Sequence, residues 1–301
     1  MDDDGIDALS RYATALAGMA RPDQLALVCV VYAMGVLVGL DGLAPTALNP
    51  AGHVLPGLAA LLAVALPVHY ANEYADYETD ALTTPTEFSG GSGALHATGL
   101  DRAFAGRALV AATGVAVLAL MAAAVAGLPA TALALLVVVL VAGVAYSLGP
   151  RLAWRGLGEL TNALLGGLLL PLYGVAVVRS TVGVGDASTF LPFTAVVFAN
   201  LLATQWPDRR ADASVGKRTL AVSQDVRTLR GLYVAAATLG VGSLLVLAAV
   251  DRLPVALVGL AVPTVVLLVV GASRYGQVES PAATVYAMVA LAFAYVLAIG
   301  W

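Results

Sequence analysis

Two short stretches hold most of the chemistry this chain could perform. One is Asn72-Glu73-Tyr74-Ala75-Asp76-Tyr77-Glu78-Thr79-Asp80, and the other is Asp208-Arg209-Arg210-Ala211-Asp212. Each places two aspartates four residues apart, a little over one helical turn. Asp76 and Asp80 are therefore expected on one helix face, and Asp208 and Asp212 on another. If the two stretches converge, Asn72, Glu73 and the four aspartates make a strongly negative pocket. Like charges held together must either protonate or be neutralised by cations. Magnesium suits such a pocket, because it takes hard oxygen ligands, keeps several waters and is usually completed by substrate phosphates. Facing clusters could hold magnesium ions that bridge one diphosphate.

The residues beside these stretches fit an anionic substrate. Gly216-Lys217-Arg218-Thr219 follows the second cluster, and cations there would stabilise a diphosphate as its charge grows on leaving. Phe88-Ser89-Gly90-Gly91-Ser92-Gly93 follows the first, and such a loop can bring backbone N–H groups close to an anion or serve as a plain flexible connection. Tyr146 ends an apolar run just before Ser147-Leu148-Gly149-Pro150-Arg151, where its ring could face a developing carbocation or anchor a membrane interface. His69 lies one turn before Glu73 and reads as a core histidine. No cysteine or histidine cluster supports zinc, and Cys29 is the single cysteine, so neither an internal disulfide nor a cysteine metal site can form.

The elements that position these groups must lie in a membrane. The 301-residue chain is 60% hydrophobic and only 11% charged, against about 25% charged for an ordinary soluble domain. Nine apolar runs are long enough to be read as transmembrane helices, at 24–46, 55–77, 104–127, 129–148, 157–178, 189–207, 228–250, 252–273 and 281–301. The expected fold class is an all-α integral membrane protein, one domain over 1–301. Residues 1–22 form a cytoplasmic tail, with an interfacial helix over 6–20. The acidic start Met1-Asp2-Asp3-Asp4 lacks the basic region of a secretory signal peptide, so the first span is expected to act as an uncleaved anchor. The net charge of −4 and the scattered basic residues give no case for nucleic acid.

Charge also sets the orientation. With the N-terminus in the cytoplasm and nine spans, the inside segments hold 13 of the 15 Lys and Arg residues, leaving only Arg179 and Arg252 outside. That asymmetry is a strong positive-inside signal. It places both aspartate stretches on the cytoplasmic side of a cell-membrane protein, at the ends of spans two and six.

At these residues the chain resembles the UbiA superfamily of intramembrane prenyltransferases. The motifs that carry the match are Asn72 to Asp80, of the N-D-x-x-D-x-x-x-D type, and Asp208 to Asp212, of the D-x-x-x-D type, in spans two and six of nine. The resemblance implies a helical bundle around a central cavity open to the cytoplasmic side. It also implies a polyprenyl diphosphate bound through Mg2+, ionised to an allylic cation and captured by an acceptor. Asn72, Asp76, Asp80, Asp208 and Asp212 then become magnesium or diphosphate ligands. Glu73 stands where the family usually has Asp, and Arg151, Lys217 and Arg218 become diphosphate contacts. Tyr146 becomes a cation-stabilising residue.

Gly216 to Val222 and the Gly156-Leu157-Gly158-Glu159 start of span five look like the menaquinone branch, the 1,4-dihydroxy-2-naphthoate prenyltransferases. There Glu159 and Asn162, on one helix face, would lie near the aromatic acceptor. Other acceptors within the superfamily are a 4-hydroxybenzoate-type quinone precursor, a glycerol-phosphate lipid and a carotenoid. A cation transporter is the competing reading of a different class. Transport sites lie near the bilayer midplane, whereas both clusters here close their spans.

Overall fold

The computed structural model describes residues 3–41, 50–83, 88 and 91–300, with the side chains of 3–6, 50 and 51 left aside. Ser89 and Gly90 of the glycine-rich loop lie outside the described residues. Among those described, every regular element is helical.

The chain opens with α1 (Asp3–Met19), α2 (Pro22–Leu40) and α3 (Pro50–Ala75). Two short helices follow, α4 (Tyr77–Asp80) and α5 (Ala94–Thr98), before the long α6 (Arg102–Val125) and α7 (Ala130–Ser147). A 3-10 turn (Leu152–Arg155) leads into α8 (Gly158–Leu164), which passes through a π segment (Leu165–Leu169) into α9 (Leu170–Arg179). Then come α10 (Val184–Thr189), α11 (Leu191–Thr204), α12 (Arg209–Ser214), α13 (Leu220–Ser223) and α14 (Val226–Ala249). The chain closes with α15 (Val255–Leu260), α16 (Val262–Arg274) and α17 (Ala282–Ile299).

Eight of these helical stretches are long and apolar enough to cross a membrane. The run expected at 189–207 is shorter than the sequence suggests, because α11 has 14 residues. At 1.5 Å per residue that is about 21 Å, less than the roughly 30 Å hydrocarbon core. Its boundaries are chemical. Pro192 opens it, and Gln205-Trp206-Pro207 closes it, since the residue before a proline resists helical geometry. Other ends have caps that the sequence supplies. Asp101 accepts from the Phe104 N–H at 2.9 Å at the start of α6, and Asp225 accepts from the Thr228 N–H at 2.9 Å at the start of α14. The helix expected over 6–20 appears as α1, which exposes Leu9 and Tyr12 and buries Ala15 and Met19.

With lipid tails as apolar as the side chains themselves, close packing and internal hydrogen bonds hold the helices together. α2 and α9 touch through glycines. A Cβ on Gly174 would lie 2.6 Å from the Tyr32 carbonyl, and one on Gly39 would lie 3.1 Å from the Val175 Cα. A Cβ on Gly35 would collide with the Pro171 backbone. Gly35→Ala is therefore expected to lower stability by about 1–3 kcal/mol, the usual cost of overpacking. A thermal melt in detergent checks this, and an unchanged midpoint would refute it. Buried tyrosines tie other helices, as Tyr275 donates to the Leu202 carbonyl and Tyr295 to the Thr189 carbonyl, both at 2.8 Å. Arg179 donates to the Val38, Gly39 and Asp41 carbonyls at 2.8–2.9 Å, closing the C-terminal end of α2.

Candidate active site

The first aspartate stretch does not continue α3. Asp76 adopts φ −98° and ψ 8°, ending that helix at Ala75, and the short α4 starts afresh. The four-residue relation survives the bend, because the Asp76 N–H donates to the Asn72 carbonyl at 2.9 Å and the Asp80 N–H to the Asp76 carbonyl at 2.8 Å. In the second stretch Asp208 immediately precedes α12, and the Asp212 N–H donates to the Asp208 carbonyl at 2.9 Å. Both pairs thus keep the spacing of a helical turn, on short helices set beyond the apolar ones.

Lys217 joins the two stretches. Its Nζ lies 3.1 Å from Asp76 Oδ2 and 3.3 Å from Asp212 Oδ1. The three side chains are almost enclosed, at 12%, 11% and 3% exposure. Burial opposes the lysine charge, but Asp76 and Asp212 outweigh it and hold the ammonium above the usual lysine range. Burial pushes the Asp212 carboxyl up, against the pull of Lys217. Asp80 is pushed up to about 7, first by burial and then by the negative charge of Asp76 and Glu73. The Tyr146 ring lies against the start of α8, its edge 3.3 Å from where a Cβ on Gly158 would stand.

Glu73 and Asn72 answer to a residue that the sequence marks only as an inside charge. Arg21 pairs with Glu73 Oε1 at 2.6 Å and donates to Asn72 Oδ1 at 3.0 Å. Asn72 in turn donates to Asp76 Oδ2 at 3.0 Å. Glu73, 3% exposed, also accepts from the Ser92 hydroxyl at 2.7 Å. The described part of the glycine-rich loop therefore closes onto the first stretch, and Gly91 sits so near Asp80 that a Cβ would strike the carboxylate. His69 accounts for itself structurally, its Nδ1 lying 2.7 Å from the Ala20 carbonyl beside Arg21.

The remaining expected residues surround this core at different depths. Glu159 is fully buried, and its Oε1 accepts from the Leu220 N–H at 2.7 Å. Asn162 lies three residues on, half-buried on α8. Arg151 is exposed and stacks over Trp154, 3.5 Å from the ring centroid. Arg218 is exposed too, with its backbone N–H donating to the Trp154 carbonyl at 3.2 Å. Arg209 and Arg210 in the second motif differ, for Arg209 pairs with Glu279 at 2.8 Å while Arg210 is exposed. Two cavities lie off the aspartates. One of about 350 Å3 sits at the far ends of α2 and α9 beside Arg179 and Arg252, and one of about 160 Å3 lies between Trp206 and Pro281.

These oxygens suit a hard cation that shares its shell with a substrate. Asp76 Oδ1 is buried and accepts no hydrogen bond from any described residue, while Asp212 Oδ1 faces Lys217 at 3.3 Å. Among the described residues no three carboxylates or imidazoles come close enough to cage a metal by themselves.

Solved structures share this architecture. A digeranylgeranylglyceryl phosphate synthase aligns with a TM-score of 0.65 at 10% identity, covering 96% of this chain and 99% of its own. A UbiA homolog from Archaeoglobus fulgidus, bound to GPP and Mg2+, aligns at 0.64 and 15% identity over 95% and 99%. The same homolog bound to DMAPP and Mg2+ aligns at 0.57 and 15% over 94% and 99%. At such identities the likeness concerns the fold alone. No curated protein matches by sequence. The family profile does match, over residues 32–297, a span that holds both aspartate motifs, Lys217 and Glu159. This chain belongs to the UbiA prenyltransferase family, and is thus an enzyme of the prenyl-transferring class.

Proposed function

We propose that the protein transfers a polyprenyl group from a polyprenyl diphosphate to an aromatic acceptor, 1,4-dihydroxy-2-naphthoate in menaquinone biosynthesis. The observation that carries the reading is the position of Lys217 between Asp76 and Asp212. One buried cation neutralises a carboxylate from each motif, which is what a diphosphate site needs on either side of its phosphates. Asn72, Asp76, Asp80, Asp208 and Asp212 would hold Mg2+, and the structure of a homolog with GPP and Mg2+ supports that choice of ion. Bound there, Mg2+ would supply positive charge to the diphosphate leaving group.

The chain's own residues do the rest. Lys217 is placed to follow the diphosphate as its charge grows, with Arg218 and Arg151 at the exposed rim. Tyr146 presents its ring to the allylic cation. Glu73 holds the loop at Ser92 against the motif. Glu159 and Asn162 face the acceptor. The Gly216–Val222 sequence and the Glu159 turn support the naphthoate acceptor within the family.

Parity supports nine crossings with a single domain around a cavity open to the cytoplasm. The chain leaves the first motif, runs through α6, α7 and α8–α9, and reaches the second motif at the end of α11. Lys217 touches both motifs, so the number of crossings between them is even, and α11 with α10 before it supplies the fourth. The distribution of Lys and Arg then puts that side in the cytoplasm of a cell-membrane protein.

The test is direct. Purified protein with Mg2+, a labelled polyprenyl diphosphate and a panel of acceptors should give prenylated naphthoate, and chelation should stop it. Product with another acceptor alone would refute the naphthoate assignment. Full activity with the metal chelated would refute the mechanism.

A further inference from the structure

Lys217 reaches both aspartate motifs, so the backbone that carries it must be held in place. On its N-terminal side that backbone is fixed by a turn. The Gly216 N–H donates to the Ala213 carbonyl at 3.1 Å, and the Lys217 N–H to the Asp212 carbonyl at 2.9 Å. With Gly216 in the left-handed region at φ 78°, these two bonds make the paired closure of a Schellman turn after α12. A Cβ on Gly216 would meet no atom within 4 Å, so glycine is favoured there by backbone conformation alone. The turn sends Lys217 back over its own motif. Its N–H bonds the Asp212 carbonyl while its Nζ lies 3.3 Å from the Asp212 carboxylate.

On its C-terminal side Lys217 is tied to another part of the fold. The Arg218 N–H donates to the Trp154 carbonyl at 3.2 Å, and the Leu220 N–H to Glu159 Oε1 at 2.7 Å. Thr219 between them is extended, at φ −70° and ψ 169°. Alternate N–H groups of an extended segment point the same way, so both turn to the corner between the 3-10 turn and α8. Of these four bonds, three end on backbone carbonyls and only the one to Glu159 ends on a side chain. Glu159 is 0% exposed, so water cannot take its place. Without it, the segment beyond Lys217 would keep a single attachment, at Arg218, and the ammonium would lose its fixed distance to Asp76 and Asp212.

We propose that Glu159 is a positioning residue: by holding the Leu220 N–H it fixes the segment 217–220, and so presents the Lys217 ammonium to both motifs and to the diphosphate between them. The inference rests on the prenyl-transfer reading and deepens it. The role uses Oε1 alone, so it is separate from an acceptor contact made by the rest of the same side chain. It reaches the diphosphate through the backbone and touches no reacting atom.

The experiment measures binding of geranyl diphosphate with Mg2+ to the full chain by equilibrium dialysis, beside turnover with the acceptor panel. Glu159→Leu cannot accept from Leu220 and should weaken diphosphate binding by about tenfold, the loss of one buried hydrogen bond. It should lower kcat by about 10²-fold, the cost of a group misplaced by about 1 Å. Glu159→Asp keeps the charge but falls short of Leu220, and should weaken binding in the same way. Glu159→Gln keeps an accepting oxygen at full reach and should recover most of the lost binding. Gly216→Ala disturbs Lys217 from the other side and should also weaken diphosphate binding, with the acceptor KM unchanged. In a Lys217→Met background, Glu159→Leu should change diphosphate binding no further, because no ammonium is left to place. Undiminished binding in both Glu159→Leu and Glu159→Asp, a full loss in Glu159→Gln, or the same loss with Lys217 replaced overturns the positioning role. Diphosphate binding that follows this pattern without any prenyl transfer would instead sink the functional reading and leave the positioning role standing.

Discussion

Asp76→Asn and Asp212→Asn should each cut prenyl transfer by about 10²–10³-fold, the loss typical when one group that stabilises transition-state charge is removed. The amide keeps the size of the carboxylate and removes its charge. Each variant therefore leaves Lys217 with one anionic partner where it now has two, at 3.1 and 3.3 Å. It also withdraws a buried oxygen that could bind a hard cation. Initial rates at saturating Mg2+ and saturating substrates measure the loss, and thermal midpoints show whether the fold persists. Near wild-type rates in both variants would mean that the two motifs do not share one diphosphate.

Arg21→Ala should destabilise the protein by about 3–5 kcal/mol, the cost of stranding a buried charge. Glu73 is 3% exposed and the Arg21 side chain 17%, so water cannot take over the pairing. Arg21 reaches Asn72 as well, and Glu73 holds Ser92, so the loss should spread to the first motif and its loop. Neutralising both partners, as Arg21→Met with Glu73→Gln, should recover most of the stability, because no buried charge is then left over. Denaturation in detergent of the two single variants and the double variant gives the coupling. A double variant as unstable as the two losses added together would show that the pair is not what matters.

Much of this arrangement is legible in the sequence, for physical reasons. Lipid demands long apolar helices, so composition alone yields the spans. The expected 104–127 and 129–148 appear as Arg102–Val125 and Ala130–Ser147. Charge is costly in lipid, so Asp76, Asp80, Asp208, Asp212 and Lys217 stand out against the apolar background. Where helices yield to local chemistry the reading is weaker. The bend at Asp76 leaves Asn72 and Glu73 on α3 and sets Asp80 on a short helix of its own, and Pro207 separates the second motif from α11.

Arg21 shows the limit most clearly. Its neighbours suggest a membrane-end arginine before Pro22, and nothing local distinguishes it from Arg227 or Arg230. Its partner Glu73 is 52 residues away.

The sequence by itself determined the membrane-helical class, the two carboxylate motifs and the family they resemble, because hydropathy and short-range spacing are local properties. Tertiary structure alone decided that Lys217 binds both motifs together, that Arg21 and Ser92 hold Glu73, and that Leu220 holds Glu159. These are contacts between segments far apart in the chain, set by how the helices pack.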